Sequence, residues 1–159
     1  LNLLYKAVTD SRSRVRIVIT LRADFYDRPL RYAEFGEMMR NEGRYNGTQI
    51  LPPEVVTDIR NGANRDDFAK AGYRLLPGWS YRNMWWVSHN EHGAFMARGV
   101  HGQALYVDPL AEMVIARFAS HPVASNAAND PTSLPAYEAV ARHLLNAAGS
   151  VRKVRTPLD

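Results

Sequence analysis

Between residues 84 and 109 the chain reads MWWVSHNEHGAFMARGVHGQALYVDP, which brings two tryptophans and three histidines into one stretch. Imidazoles serve as general bases and metal ligands, and indoles cover apolar ligand surface. Two more histidines, His121 and His143, lie downstream. Metal binding asks for paired histidines on one helix face, or for acidic residues that complete a ligand set. His89, His92, His101, His121 and His143 show neither arrangement. We therefore expect structural or solvated histidines and no metal. The chain has no cysteine, which excludes disulfides, thiolate metal sites and a cysteine nucleophile. It also has no glycine-rich loop ending in Lys-Ser/Thr to cradle phosphates, and no cofactor is expected.

Elements must position these side chains. Leu1, Leu4 and Val8, with Leu3 and Ala7, share one helical stripe, and VRIVITL (15–21) reads as a buried, β-branched strand. Pro29 suits the first turn of a helix whose Leu30, Ala33, Phe35, Met38 and Met39 form an apolar side, with Gly43 to stop it. Asn46-Gly47 marks a turn, and PPEVVTDIRNG a short helix. Four strand candidates follow, at 79–88, 93–99, 103–108 and 112–119, with tight joints at HNEHG and DPLAE that make antiparallel neighbours. The segment 120–133 reads as a long polar loop. An amphipathic helix then presents Tyr137, Val140, Ala141, Leu144 and Leu145 on one side, and SVRKVRTPLD reads as a frayed tail. The expected fold class is α+β, with an antiparallel sheet of three to four strands, a C-terminal helix packed on it and flanking helices.

Composition narrows the classes. Apolar residues make up 46% and charged residues 23% of 159 residues, as in an ordinary globular domain. No apolar run approaches the roughly 18 residues of a membrane span. Residues 1–36 hold seven basic against four acidic side chains, while the remainder holds 13 against 12. A nucleic-acid binder needs a basic face with interleaved aromatics, and this distribution does not supply one. The absence of cysteine fits a reducing compartment, so a cytoplasmic location is expected.

From residue 33 onward the chain resembles the C-terminal part of serine β-lactamase and penicillin-binding-protein-like hydrolases, in the branch of 6-aminohexanoate-dimer hydrolases and related esterases. FGEMMRNEGRYNGTQILP, GWSYRNMWWVSHNEHGAF, RGVHGQALYVDP and MVIARFASHPVASN carry the likeness, in order and spacing. Residues 1–32 resemble a segment of a STAND-type NTPase, where TLRADFYDRPL is typical. The two likenesses meet at residues 29–36, so the expected division is 1–32 and 33–159. The hydrolase resemblance implies a serine nucleophile three residues before a lysine, a tyrosine from a second motif, and a third motif whose backbone N–H helps form an oxyanion hole. ARGV (97–100) matches the third motif, so Gly99 would allow close approach and the Val100 N–H would face the developing oxyanion. A second register takes HGQ (101–103) as the motif. We favour the first, with His101 flanking the site. Trp86, fourteen residues before Val100, matches a pocket-lining tryptophan of that branch, and Trp85 is expected in the core.

The other two motifs are missing. Ser-x-x-Lys occurs only as Ser150 to Lys153, after the last expected helix, and Tyr81-Arg82-Asn83 lies inside the block that should follow the tyrosine motif. Arg22 and Asp24, at the NTPase-like end, lack a nucleotide pocket and read as a salt-bridged loop. The reading is a fragment of an amide or ester hydrolase that carries the oxyanion side of the site but not its nucleophile. Its substrate, in the intact family protein, would be a small amide or ester. The alternative is a non-catalytic binding or assembly module. In either case an exposed sheet edge favours homo-oligomers, without nucleic acid or membrane as partner.

Overall fold

The computed structural model describes residues 16–20 and 27–154, with side chains from residue 31 to residue 147. The helix expected at residues 1–8, and Arg22 and Asp24, lie outside the described residues. Strand β1 (Arg16–Thr20) precedes helix α1 (Asp27–Arg40). A small hairpin follows, β2 (Arg44–Tyr45) and β3 (Thr48–Gln49), turning at Asn46 and Gly47 with φ of 47° and 80°. Both angles are positive, as a two-residue hairpin turn requires. Helix α2 (Pro53–Asn61) starts on proline and ends at Gly62, and α3 (Arg65–Lys70) is capped by the Asn64 side chain on the Asp67 amide.

The sheet then builds through β4 (Ser80–Arg82), β5 (Trp85–Val87), β6 (Phe95–Arg98), β7 (Ala104–Asp108) and β8 (Met113–Arg117). Helix α4 (Asp130–Val154) follows a single turn of 3₁₀ helix at Asn126–Ala128. The strand order is β1-β8-β7-β6-β5-β4. All neighbours from β4 to β8 are antiparallel, as the short joints require, and β1 adds in parallel on β8.

The α+β class and the antiparallel sheet are as expected, but the sheet is larger. The 79–88 candidate is two strands, folded at Asn83 and Met84 with φ of 49° and 69°. Methionine rarely takes a left-handed conformation, so no turn signal marked the fold point. Met84 is 76% exposed at that tip. The tail also differs. Helix α4 runs on to Val154, so Ser150 and Lys153 lie within it rather than beyond it.

Both sheet faces are covered. On one, α1 and α2 bring Ala33, Met39, Val56 and Ile59 against Trp85, Phe95, Val107 and Val114. On the other, Tyr137 and Ala141 of α4 meet Ala94, Met96, Tyr106 and Ile115, with Leu144 and Leu145 partly buried beside them. Central strands sandwiched this way lose the polar alternation of a one-sided sheet, which is why β7 and β8 read as apolar runs. Each large apolar side chain fully buried here, such as Phe95 or Met39, contributes about 2–3 kcal/mol. Phe35 departs from its expected place in the core. It is 43% exposed and stacks on Trp85 at 6.2 Å between centroids.

Candidate functional site

Gly99 follows β6, and the chain turns at once through a single 3₁₀ turn, Val100–Gly102, into β7. The turn is clamped on both sides of Gly99. Its amide donates to the Gln103 carbonyl at 2.9 Å, and its own carbonyl accepts from Asn126 Nδ2 at 3.0 Å. The bonds that close the turn use the amides of Gly99, His101 and Gln103. Val100 itself is 58% exposed. Gly99 has ordinary extended dihedrals, φ −104° and ψ 172°, so its lack of a side chain matters for space rather than for conformation. A Cβ there would sit 3.1 Å from Gln103 Cβ.

A groove of about 250 Å³ opens beside this turn. Arg98, Gly99, Gln103 and Arg117 supply its polar lining, and Tyr32, Phe35 and Phe118 its aromatic lining. Tyr32 packs edge-on against Phe118 at 5.3 Å. Phe35, misplaced by the helical pattern, thus has a position as groove wall. Such a shape suits a ligand with one polar and one extended apolar part.

His101 is the strained residue of the turn, at φ 59° and ψ 25°. Non-glycine residues in this region are uncommon and are held there by their surroundings. Here the holding is explicit. The His101 amide donates to the Ala124 carbonyl at 3.0 Å, its carbonyl accepts from the His121 amide at 3.1 Å, and its ring Nδ1 donates to the His121 carbonyl at 2.8 Å. The imidazole therefore anchors the 118–129 loop, and it does not line the groove.

Trp85 and Trp86 separate across β5 as a strand requires, with Trp85 in the core and Trp86 on the α4 face. Three rings surround the Trp86 indole, Phe68, Tyr73 and Tyr81, with centroids at 5.7, 4.9 and 5.2 Å. The Arg98 guanidinium lies 4.7 Å from its centroid, within cation–π range. Arg98 also forms a buried ion pair with Asp130 at the start of α4. Trp86 does not share the groove of Gly99, and Arg98, which touches the one and lines the other, is their physical link.

Arg98 and Asn126 escaped the sequence reading. Arg98 stands directly before Gly99, so its neighbourhood was legible, but its pairing with Asp130 spans 32 positions. Asn126 comes from the polar loop and had no local signal. Two of the remaining histidines make partly buried structural hydrogen bonds. His89 Nε2 and the buried Ser80 hydroxyl share a hydrogen bond of 2.7 Å, and that hydroxyl accepts from the Ala63 amide. His92 Nδ1 donates to Asp108 at 2.7 Å. Among the described residues, no three His, Asp or Glu side chains are grouped to hold a metal ion. No described helix is long and apolar enough to cross a membrane.

No family model matches the chain. Over 91 residues it is 32% identical to the 6-aminohexanoate-dimer hydrolase of Paenarthrobacter ureafaciens, a match covering 57% of this chain and 23% of the relative. A solved Bacillus anthracis structure, named as a 6-aminohexanoate-dimer hydrolase, is 38% identical with a TM-score of 0.56. That match covers 72% of this chain and 28% of the other. The chain thus spans about a quarter of the length of these relatives. Part of the chain is homologous to 6-aminohexanoate-dimer hydrolases, and its sheet and helices form a portion of a β-lactamase-like fold.

Proposed function

We propose that residues 33–159 are a portion of a β-lactamase-related serine hydrolase acting on amide or ester bonds, and that they supply the oxyanion side of its site. The observation that carries this reading is the joint likeness, in sequence and in fold, to 6-aminohexanoate-dimer hydrolases. In this reading the Val100 amide donates to the oxyanion that forms as a carbonyl is attacked, an interaction stronger in the transition state than in the ground state. Gly99 keeps the approach open, and the clamp from Gln103 and Asn126 fixes the amide in advance. His101 holds the turn's shape from outside the groove, and Trp86, expected to cover the apolar part of a small amide or ester substrate, stands on the other sheet face and reaches the groove only through Arg98.

The serine, lysine and tyrosine come from a segment other than this one. Ser150 and Lys153, in the last turns of α4, are not that pair. Residues 1–32 form a separate NTPase-like segment. The parallel pairing of β1, in a sheet otherwise antiparallel, favours that division, although α1 runs continuously across its boundary. A cytoplasmic location accompanies this reading.

Fluorophosphonate labelling of the purified chain, with mass spectrometry to locate adducts, is the first test. We expect no serine adduct in a folded sample. An adduct on one serine would replace this reading with a self-sufficient hydrolase. Co-expression with the amino-terminal portion of a 6-aminohexanoate-dimer hydrolase should then restore ester hydrolysis, and Gly99→Val should remove it at least about 100-fold. Full activity in Gly99→Val would end the oxyanion assignment.

A further inference from the structure

Away from the Gly99 turn, a cavity of about 450 Å³ lies on the α4 face of the sheet. It falls within the roughly 300–1,000 Å³ of small-molecule sites. Leu75, Pro77 and Trp79 line it together with Ser88 and Asn90 after β5, Tyr106 of β7 and the first turns of α4. Gly99, Val100, His101 and Trp86 take no part in it. Its apolar wall includes the indole of Trp79, with Leu134 and Pro135.

Its charge is one-sided. No lysine, arginine or histidine lines it, whereas the carboxylates of Asp130 and Glu138 do. Asp130 is already neutralised by Arg98. Glu138 has no ion-pair partner among the described residues. Tyr106, 3% exposed, also reaches the cavity. Burial, and then the carboxylates of Asp108 and Glu138, hold its phenol well above the usual range, so it stays a neutral hydroxyl. Its hydroxyl oxygen can accept a hydrogen bond from a ligand in the cavity.

An anion would be repelled here, and a cation would gain Coulomb attraction to the carboxylate that a neutral ligand of the same shape lacks. Two acceptors at one end ask for a ligand with several N–H donors. We propose that this cavity binds a small primary alkylammonium ion, with its chain against Trp79, Leu134 and Pro135 and its N–H groups on Glu138 and the Tyr106 oxygen. None of the residues assigned above to the hydrolase site is used, so the two readings stand or fall separately.

The test is an NMR titration of the full ¹⁵N-labelled chain with n-butylammonium, and with n-butanol and butyrate as controls of similar size. We expect butylammonium to bind tightest, butyrate weakest, and the Trp79 indole signal to move. Glu138→Gln, whose unchanged spectrum certifies folding, should weaken butylammonium about fivefold and leave butanol unaffected. The proposal is overturned if butylammonium and butanol bind equally, if Glu138→Gln leaves butylammonium unchanged, or if the Trp79 signal does not respond.

Discussion

Gly62 shows how one missing side chain can organise a local structure. It ends α2 at φ 69°, and a Cβ there would lie 2.2 Å from Ser80 Oγ and 2.9 Å from the His89 ring. The position is therefore closed twice, by conformation and by space. Gly62→Ala should destabilise the fold by about 2–4 kcal/mol, read as a lowered urea midpoint, because it strains the backbone and splits the Ser80–His89 bond. A midpoint unchanged within error would mean that this corner repacks freely. His89 adds a pH dependence. Its pKa is lowered, first by burial and then by the charge of Arg65. A histidine depressed on folding gives stability that is complete above its unfolded value, about 6.5, and is lost as pH falls through the folded value. The melting temperature should therefore drop as pH is taken from 7.5 to 5, and His89→Gln should flatten that slope. None of this was legible, because Ala63, Ser80 and His89 meet only through the fold. Trp85, by contrast, was placed correctly from strand alternation alone.

At the scale of elements, α1 is the piece most tightly fitted to the sheet. A Cβ on Gly36 would come 2.5 Å from Val114 Cγ1 and 2.9 Å from Leu105 Cδ1. Helix glycines usually weaken a helix, but this one lets α1 lie close upon β7 and β8. Gly36→Ala should cost about 1–3 kcal/mol, despite its better helix propensity. Adding Val114→Ala should recover part of that loss if the clash is the cause. A double variant no better than the sum of its singles would point elsewhere. The sequence announced the helices well, since apolar stripes, an initial proline and a final glycine are local signals. Strand count was less legible. Asn83-Met84 carries no glycine, so a hairpin was read as a single strand, and the left-handed turn was paid for by tertiary contacts that no window contains. The C-terminal boundary failed for a related reason, as SVRK has no breaker and the helix simply continues.

For the whole molecule, edges matter as much as the core. β1 covers β8 along five register pairs, Arg16–Met113 to Thr20–Arg117, while β4 stands at the opposite edge. Removing residues 1–26 should uncover β8, an apolar strand, and shift the chain toward dimers or larger species on size-exclusion chromatography. A monomer of unchanged stability would show that β1 contributes little. The site was legible only in part. Gly99, Val100 and Trp86 lie in one stretch of sequence, but of these only Gly99 borders the groove, whose other wall is Tyr32, Phe35 and Phe118 from distant segments.

Asp108 has a consequence for how the sheet is assembled. One of its oxygens takes the ring proton of His92, from the β5–β6 turn, and the other takes the Ala111 amide, in the β7–β8 turn. It is fully buried, so an unmatched carboxylate there is expensive. A slip of either hairpin by two residues keeps the apolar faces correct yet strands this charge. The pair of bonds thus acts as a checksum on register, admitting the one alignment in which both turns are right at once.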